Sequence, residues 1–143
     1  MVAGPWFALC PGAMAKNLEE MRVYQHSTRA ADAISALLKL PGFRNQFKLA
    51  GQLGDASDSV SSNIAEGFGR SNAQFVKFLD YARGSANEVR AHLGTAYGRG
   101  CITLDTYQRM NRRYEVIGKM LTRLIQYLRG PNEPPTNNQT TNN

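Results

Sequence analysis

Residues 75–96 read FVKFLDYARGSANEVRAHLGTA, and the spacing of their apolar positions decides the fold. Phe75, Leu79, Ala82, Ala86, Val89, Leu93 and Ala96 alternate by four and three residues. At 3.6 residues per turn, that alternation holds one stripe on one helix face, the seam that helices present to each other in a bundle. A half-buried strand needs alternation by two, and no stretch of this chain has it.

Residues 107–128, YQRMNRRYEVIGKMLTRLIQYL, repeat the pattern with Tyr107, Met110, Tyr114, Ile117, Leu121, Leu124 and Leu128. Gly98-Arg99-Gly100 separates the two segments. Thr103 stands where an N-cap belongs, and Asp105 follows in the first turn, favourable to the helix dipole. Upstream, Gly67-Phe68-Gly69 closes a helix expected over about Phe47 to Glu66 that buries Leu49, Leu53, Ala56, Val60 and Ile64. Gly67 is expected in the left-handed position that commonly ends a helix. Leu40-Pro41-Gly42 stops a first helix running from about Leu18 or Met21 to Leu38, with Val23, Ala30, Ile34 and Leu37 on its inner face.

Four helices with short connections predict an all-α, antiparallel up-down-up-down four-helix bundle over residues 18–129. Residues 1–17 are expected to be a flexible extension. Pro5 and Pro11 interrupt it and it has no basic n-region, so it reads poorly as a signal peptide. The Asn- and Thr-rich residues 130–143 bury too little to offset their ordering entropy and are expected to be disordered. No apolar run reaches the roughly 18 residues of a membrane span, so no membrane partner is expected. Cys10 and Cys101 form no CxxC pair and no His lies at ligand spacing from them, which argues against a metal site and for a reducing, cytoplasmic setting.

Seventeen Lys and Arg against eleven Asp and Glu leave a net charge of +6. On the last helix, Arg109, Arg112, Arg113, Lys119 and Arg123 fall within about a third of the circumference, away from the core stripe. A solvated face typically mixes both signs. A one-signed stripe fits phosphate contact, and a plain solvated surface is the competing reading. The third helix instead carries small residues outside: Gly84, Ala91, Thr95 and Gly98. A mid-helix glycine costs about 1 kcal/mol against alanine, so this face reads as a subunit interface of a symmetric homo-oligomer, with neutral drift as the alternative.

Catalytic signatures are missing: the sequence has no GxSxG, HExxH, P-loop or dinucleotide fingerprint. No enzymatic activity and no cofactor are expected. Gly67-Phe68-Gly69-Arg70 precedes a helix N-terminus in the manner of a phosphate cradle, although a tight turn needs the same glycines. Asn63 and Glu66 either form a polar site, with His26 as a third member, or tie down the turn by side-chain to backbone hydrogen bonds.

Ser62-Asn63-Ile64-Ala65-Glu66-Gly67-Phe68-Gly69-Arg70 resembles the signature of the bacterial four-helix bundle proteins encoded by intervening sequences in 23S ribosomal RNA genes, the S23 ribosomal protein family. The resemblance continues at Met21-Arg22-Val23-Tyr24-Gln25, at Phe75, Phe78 and Leu79, from Gly100 to Thr103, and at Ile117-Gly118-Lys119-Met120-Leu121. Ser61 departs from it where the family often has proline. The resemblance implies a left-handed antiparallel bundle assembled as a homopentameric ring, and a likeness to basic accessory proteins of diversity-generating retroelements. It implies no catalytic residue or cofactor. The leading expectation is a non-enzymatic oligomer that binds RNA or DNA through the basic helix face. The alternatives are a protein-interaction scaffold and a small-molecule site between helices.

Overall fold

The computed structural model describes residues 15–131, so the expectations for residues 1–14, including Cys10, and for residues 132–143 lie outside the described residues. Four α-helices follow in order: α1 (Arg22–Leu37), α2 (Phe47–Gly67), α3 (Asn72–Gly98) and α4 (Leu104–Arg129). Two 3-10 turns, Leu18–Glu20 and Pro41–Phe43, complete the regular structure, and no strand occurs among the described residues. Each helix packs on its chain neighbours, and α1 closes the square against α4, with the contacts of α1 the sparser ones.

Sequence-encoded caps set the helix ends. Ser71 Oγ accepts from the Gln74 amide at 3.3 Å, and Thr103 Oγ1 accepts from the Thr106 amide at 3.2 Å, each satisfying an otherwise orphaned N–H. Asn17 caps the first 3-10 turn by accepting from the Glu20 amide at 3.0 Å. Beyond Arg129, Gly130 takes a φ of 79°, where a side chain would be strained. Helix α2 runs unbroken through Ser61.

The seam residues of α3 are all buried, as are Met110, Tyr114, Ile117, Leu121 and Leu124 of α4. Tyr107 and Leu128, at the ends of the α4 stripe, are only partly buried, and Ile125 is buried in addition. The Tyr107 ring instead stacks on Tyr97 with centroids 5.4 Å apart. Each fully buried aliphatic side chain contributes about 1.5–3 kcal/mol relative to exposure, so the four seams hold the helices together.

The antiparallel arrangement brings the α1–α2 loop onto the α3–α4 turn. A Cβ on Gly42 would sit 2.1 Å from the Cys101 carbonyl oxygen, so only glycine fits there. Buried Phe43, Cys101 and Ile102 seal this end of the core. Arg99 Nη1 donates to Gln46 Oε1 at 3.1 Å across the same junction.

At the other end, Gly67 differs from its sequence expectation. Its φ is not positive; Gly69 holds the left-handed position, at φ 80°. Gly67 is the last, buried residue of α2, and a Cβ there would lie 2.7 Å from Phe78 Cβ and 2.8 Å from Phe75 Cδ2. Close approach of α3, and not backbone conformation, requires glycine at this position.

Candidate nucleic-acid interface

Helix α4 presents the basic stripe on its solvent side, with Arg109, Arg112, Arg113, Lys119 and Arg123 all exposed. Arg109 and Lys119 are partly neutralised along their own helix. Arg109 Nε donates to Asp105 Oδ2 at 2.9 Å, and Lys119 Nζ lies 3.6 Å from Glu115 Oε1. Both pairs place the acid four residues before the base, the more favourable order. Arg112 and Arg113 have no ion-pair partner among the described residues. The like-charge spacing along the stripe is thus relieved at two places and left at the centre.

The stripe lies along two grooves. Between α1 and α4 runs a cleft of about 720 Å³ into which Arg109, Arg112 and Arg113 project, joined by Arg29 and His26 of α1. Its wall includes Ala30, Met110, Val116 and Ile117, so an apolar surface underlies the charges. Between α3 and α4 lies a second groove of about 460 Å³ that holds Lys119 and Arg123 with Arg83 and Arg90 of α3. Eight of the seventeen cationic side chains line these two grooves against two of the eleven acidic ones, Asp105 and Glu115. The positive charge is therefore concentrated on the α4 side of the bundle.

Arg29, Arg83 and Arg90 escaped the sequence reading. Periodicity fixes the angle of a residue on its own helix, but which neighbouring helix contributes a partner depends on packing. The i,i+3 and i,i+4 acids of the third helix were the available signal, and only Arg83 has one, an ion pair with Asp80. Arg83 also reaches α4, where Nη1 donates to Thr122 Oγ1 at 3.3 Å. Arg90 Nε donates to Asn111 Oδ1 at 2.9 Å, a neutral acceptor that leaves its charge uncompensated.

The polar trio weighed as a small-molecule site shares no hydrogen bond or ion pair among the described residues. Asn63 Nδ2 donates back to the Ser59 carbonyl at 2.8 Å, and Glu66 pairs with Arg70, whereas His26 faces the α1–α4 cleft. Arg70 Nε also donates to the Glu66 carbonyl at 2.8 Å, and its guanidinium lies 5.0 Å from the Phe78 ring centroid. Gly67, Gly69 and Arg70 thus build a tied-down turn between α2 and α3.

Burial, with Arg22 and Arg29 close by, lowers the His26 pKa and keeps the imidazole neutral at pH 7. Tyr114 is fully buried, and burial, reinforced by the Asp58 carboxylate, raises its pKa and holds the phenol protonated. Its hydroxyl lies near Ser57, whose Oγ donates to the Gly54 carbonyl at 2.8 Å. It has no hydrogen bond of normal geometry among the described residues.

On α3, Gly84, Ala91 and Gly98 are exposed and Thr95 is half-buried, its Oγ1 turned to the Ala91 carbonyl at 3.3 Å. A Cβ on Gly84 or Gly98 would meet nothing within 4 Å, so the fold of one chain does not require either glycine for space. Among the described residues no cluster of three or more His, Cys, Asp or Glu side chains could hold a metal ion. No helix among them is long and apolar enough to cross a membrane.

Residues 19–123, which hold α1, α2, α3 and most of α4, match the model of the 23S rRNA-intervening sequence protein family. The chain belongs to that family. A similar solved structure is a protein of unknown function from the S23 ribosomal protein family of Bacteroides thetaiotaomicron VPI-5482. It is 28% identical, with a TM-score of 0.66 over 73% of this chain and 98% of that one. No curated protein matches the chain. Membership in the 23S rRNA-intervening sequence family agrees with the four-helix fold. It assigns no chemistry to the basic grooves.

Proposed function

We propose that this family member is a non-enzymatic, oligomeric nucleic-acid-binding protein that contacts RNA or DNA phosphates through α4 and the grooves on either side of it. The observation that carries the reading is the charge asymmetry: four cations in each groove and a single acid in each. Arg and Lys contacts to phosphate supply affinity and register without reading bases, and each displaces condensed counterions. Titration of a structured RNA and a duplex DNA by fluorescence anisotropy across a salt series tests it. Log affinity falls linearly with log salt, by roughly 0.9 per phosphate contacted on a duplex. Changing Arg112, Arg113 and Lys119 together to Gln weakens both ligands and reduces the slope by about two to three. Absence of binding at low salt refutes the function, and unchanged affinity in the triple variant refutes the face.

The oligomeric part of the proposal uses the small-residue face of α3, with the pentameric ring as the assembly expected from the family resemblance. Light scattering at micromolar concentration gives a multiple of the chain mass, and Gly84→Arg lowers it. A monomeric wild type refutes this assignment. A protein-interaction scaffold is the second reading. It draws support from Phe47 and Leu40 near the loop end, 80% and 44% exposed. Pull-down from nuclease-treated lysate separates the two, because an RNA-bridged partner is lost and a directly docked protein is kept.

A further inference from the structure

Gly118 stands in the middle of α4 and lines the α3–α4 groove. Mid-helix glycine weakens a helix relative to alanine, and usually a neighbouring backbone or ring explains it. Neither explanation applies here: a Cβ on Gly118 would meet nothing within 4 Å. The space it leaves open lies among four cationic side chains, Arg83, Arg90, Lys119 and Arg123, with the neutral donors Asn87 and Gln126 beside them and one carboxylate, Glu115, which pairs with Lys119 at 3.6 Å.

Two of these cations are already positioned. The guanidinium of Arg83 is braced across the helix interface by Thr122 while it pairs with Asp80 on its own helix, and that of Arg90 is braced by Asn111. Arg90 is half-buried and has no carboxylate partner among the described residues. Its Nε is held by a neutral amide oxygen, which orients the fork while its Nη donors remain for another acceptor. A guanidinium fixed in this way matches two oxygens of a tetrahedral anion, and holding it in place beforehand reduces the ordering cost of binding. The first groove lacks this arrangement: its arginines are exposed, and among the described residues no side-chain hydrogen bond between helices holds them.

We propose that the α3–α4 groove is a discrete site for a phosphoryl group, seated over Gly118, gripped by Arg90 and Arg83 and flanked by Lys119 and Arg123. The site goes beyond diffuse phosphate contact, because it predicts saturable binding of a single small oxyanion. The phosphoryl group comes either from a nucleic acid or from a small phosphorylated molecule.

Orthophosphate is titrated into the full chain at constant ionic strength and read by calorimetry. Wild type gives a saturable isotherm. Arg90→Gln, which keeps a polar group near Asn111 and removes the charge, weakens binding at least about tenfold. Gly118→Leu fills the space with a good helix former and does the same, with circular dichroism and chain mass by light scattering confirming the fold. Lys48→Gln, an equal loss of charge on exposed α2 surface, leaves the affinity unchanged.

Competition by a short oligoribonucleotide with and without a 5′ phosphate then names the source. Displacement by both assigns a backbone phosphodiester, and displacement by the phosphorylated one alone assigns a terminal phosphate. Displacement by neither assigns a small phosphorylated molecule. A heat signal that does not saturate, or equal affinity in wild type, Arg90→Gln and Gly118→Leu, overturns the site. Salt-dependent RNA binding that survives such a failure leaves the nucleic-acid reading standing, so the two fail separately.

Discussion

Replacing glycine by alanine has opposite consequences at two positions of this bundle, and the difference follows from what each Cβ would meet. At Gly67 the added carbon lies 2.7 Å from Phe78 Cβ and 2.8 Å from Phe75 Cδ2, against a comfortable carbon–carbon separation of roughly 3.5–4.0 Å. Phe78 Cβ is fixed to the α3 backbone, and Phe75 is 2% exposed with its ring edge-on to Phe68, so neither yields by a simple rotation. The start of α3 must move by about an ångström. Overpacking of this kind costs about 1–3 kcal/mol, partly offset by less than 1 kcal/mol of helix propensity at a C-terminal position. Gly67→Ala therefore loses about 1–2 kcal/mol. Within one chain Gly84→Ala meets nothing, so in the dissociated subunit it gains about 0.5–1 kcal/mol from the stiffer chain. Urea unfolding followed by helical circular dichroism, at one matched chain concentration, separates the two. With an m-value of about 1–3 kcal/mol/M, their midpoints differ by roughly 1 M. A Gly67→Ala protein as stable as wild type would refute the close-approach argument. If Gly84→Ala is destabilising in a concentration-dependent way, a partner subunit rather than solvent lies over that face.

Tyr114→Phe removes a buried hydroxyl that makes no regular hydrogen bond, so stability changes by less than about 1 kcal/mol or rises, whereas Tyr114→Ala loses about 3–5 kcal/mol through the cavity. The same urea experiment distinguishes them, and a loss of more than about 2 kcal/mol in Tyr114→Phe would show that the hydroxyl is partnered. His26 has a folded pKa below its ordinary 6.5. The unfolded chain therefore binds its proton first, and stability present above pH 6.5 falls as pH drops through the folded value. His26→Gln flattens that part of the stability–pH curve, and an unchanged slope would remove His26 as its origin.

The core was legible because each seam is a local property. Phe75 to Ala96 and Leu49 to Ile64 declare their inner faces by spacing alone, and every residue named on those two seams is buried. Ends are less legible, since Tyr107 finds a ring across the turn and leaves the stripe half-covered. Gly67 and Gly42 are legible as glycines but not in their reason. A short helix-ending motif looks the same whether it serves a left-handed residue or a contact at 2.7 Å with a helix that follows in sequence. The α4 stripe was visible from charge and angle, while Arg29, Arg83 and Arg90 join it only once the helices are placed side by side.

Closure of the square by α4 has a consequence for synthesis of the chain. Until residues 104–129 leave the ribosome, the seams of α1 and α3 that face α4 have no cover, and the growing chain exposes them. The same late segment carries Arg109, Arg112, Arg113, Lys119 and Arg123. Completing the core and presenting the charge are thus one event, so a nascent or truncated chain that lacks α4 is both unfinished and deprived of its basic face. An incomplete copy is recognisable to the cell's chaperones by its open seams.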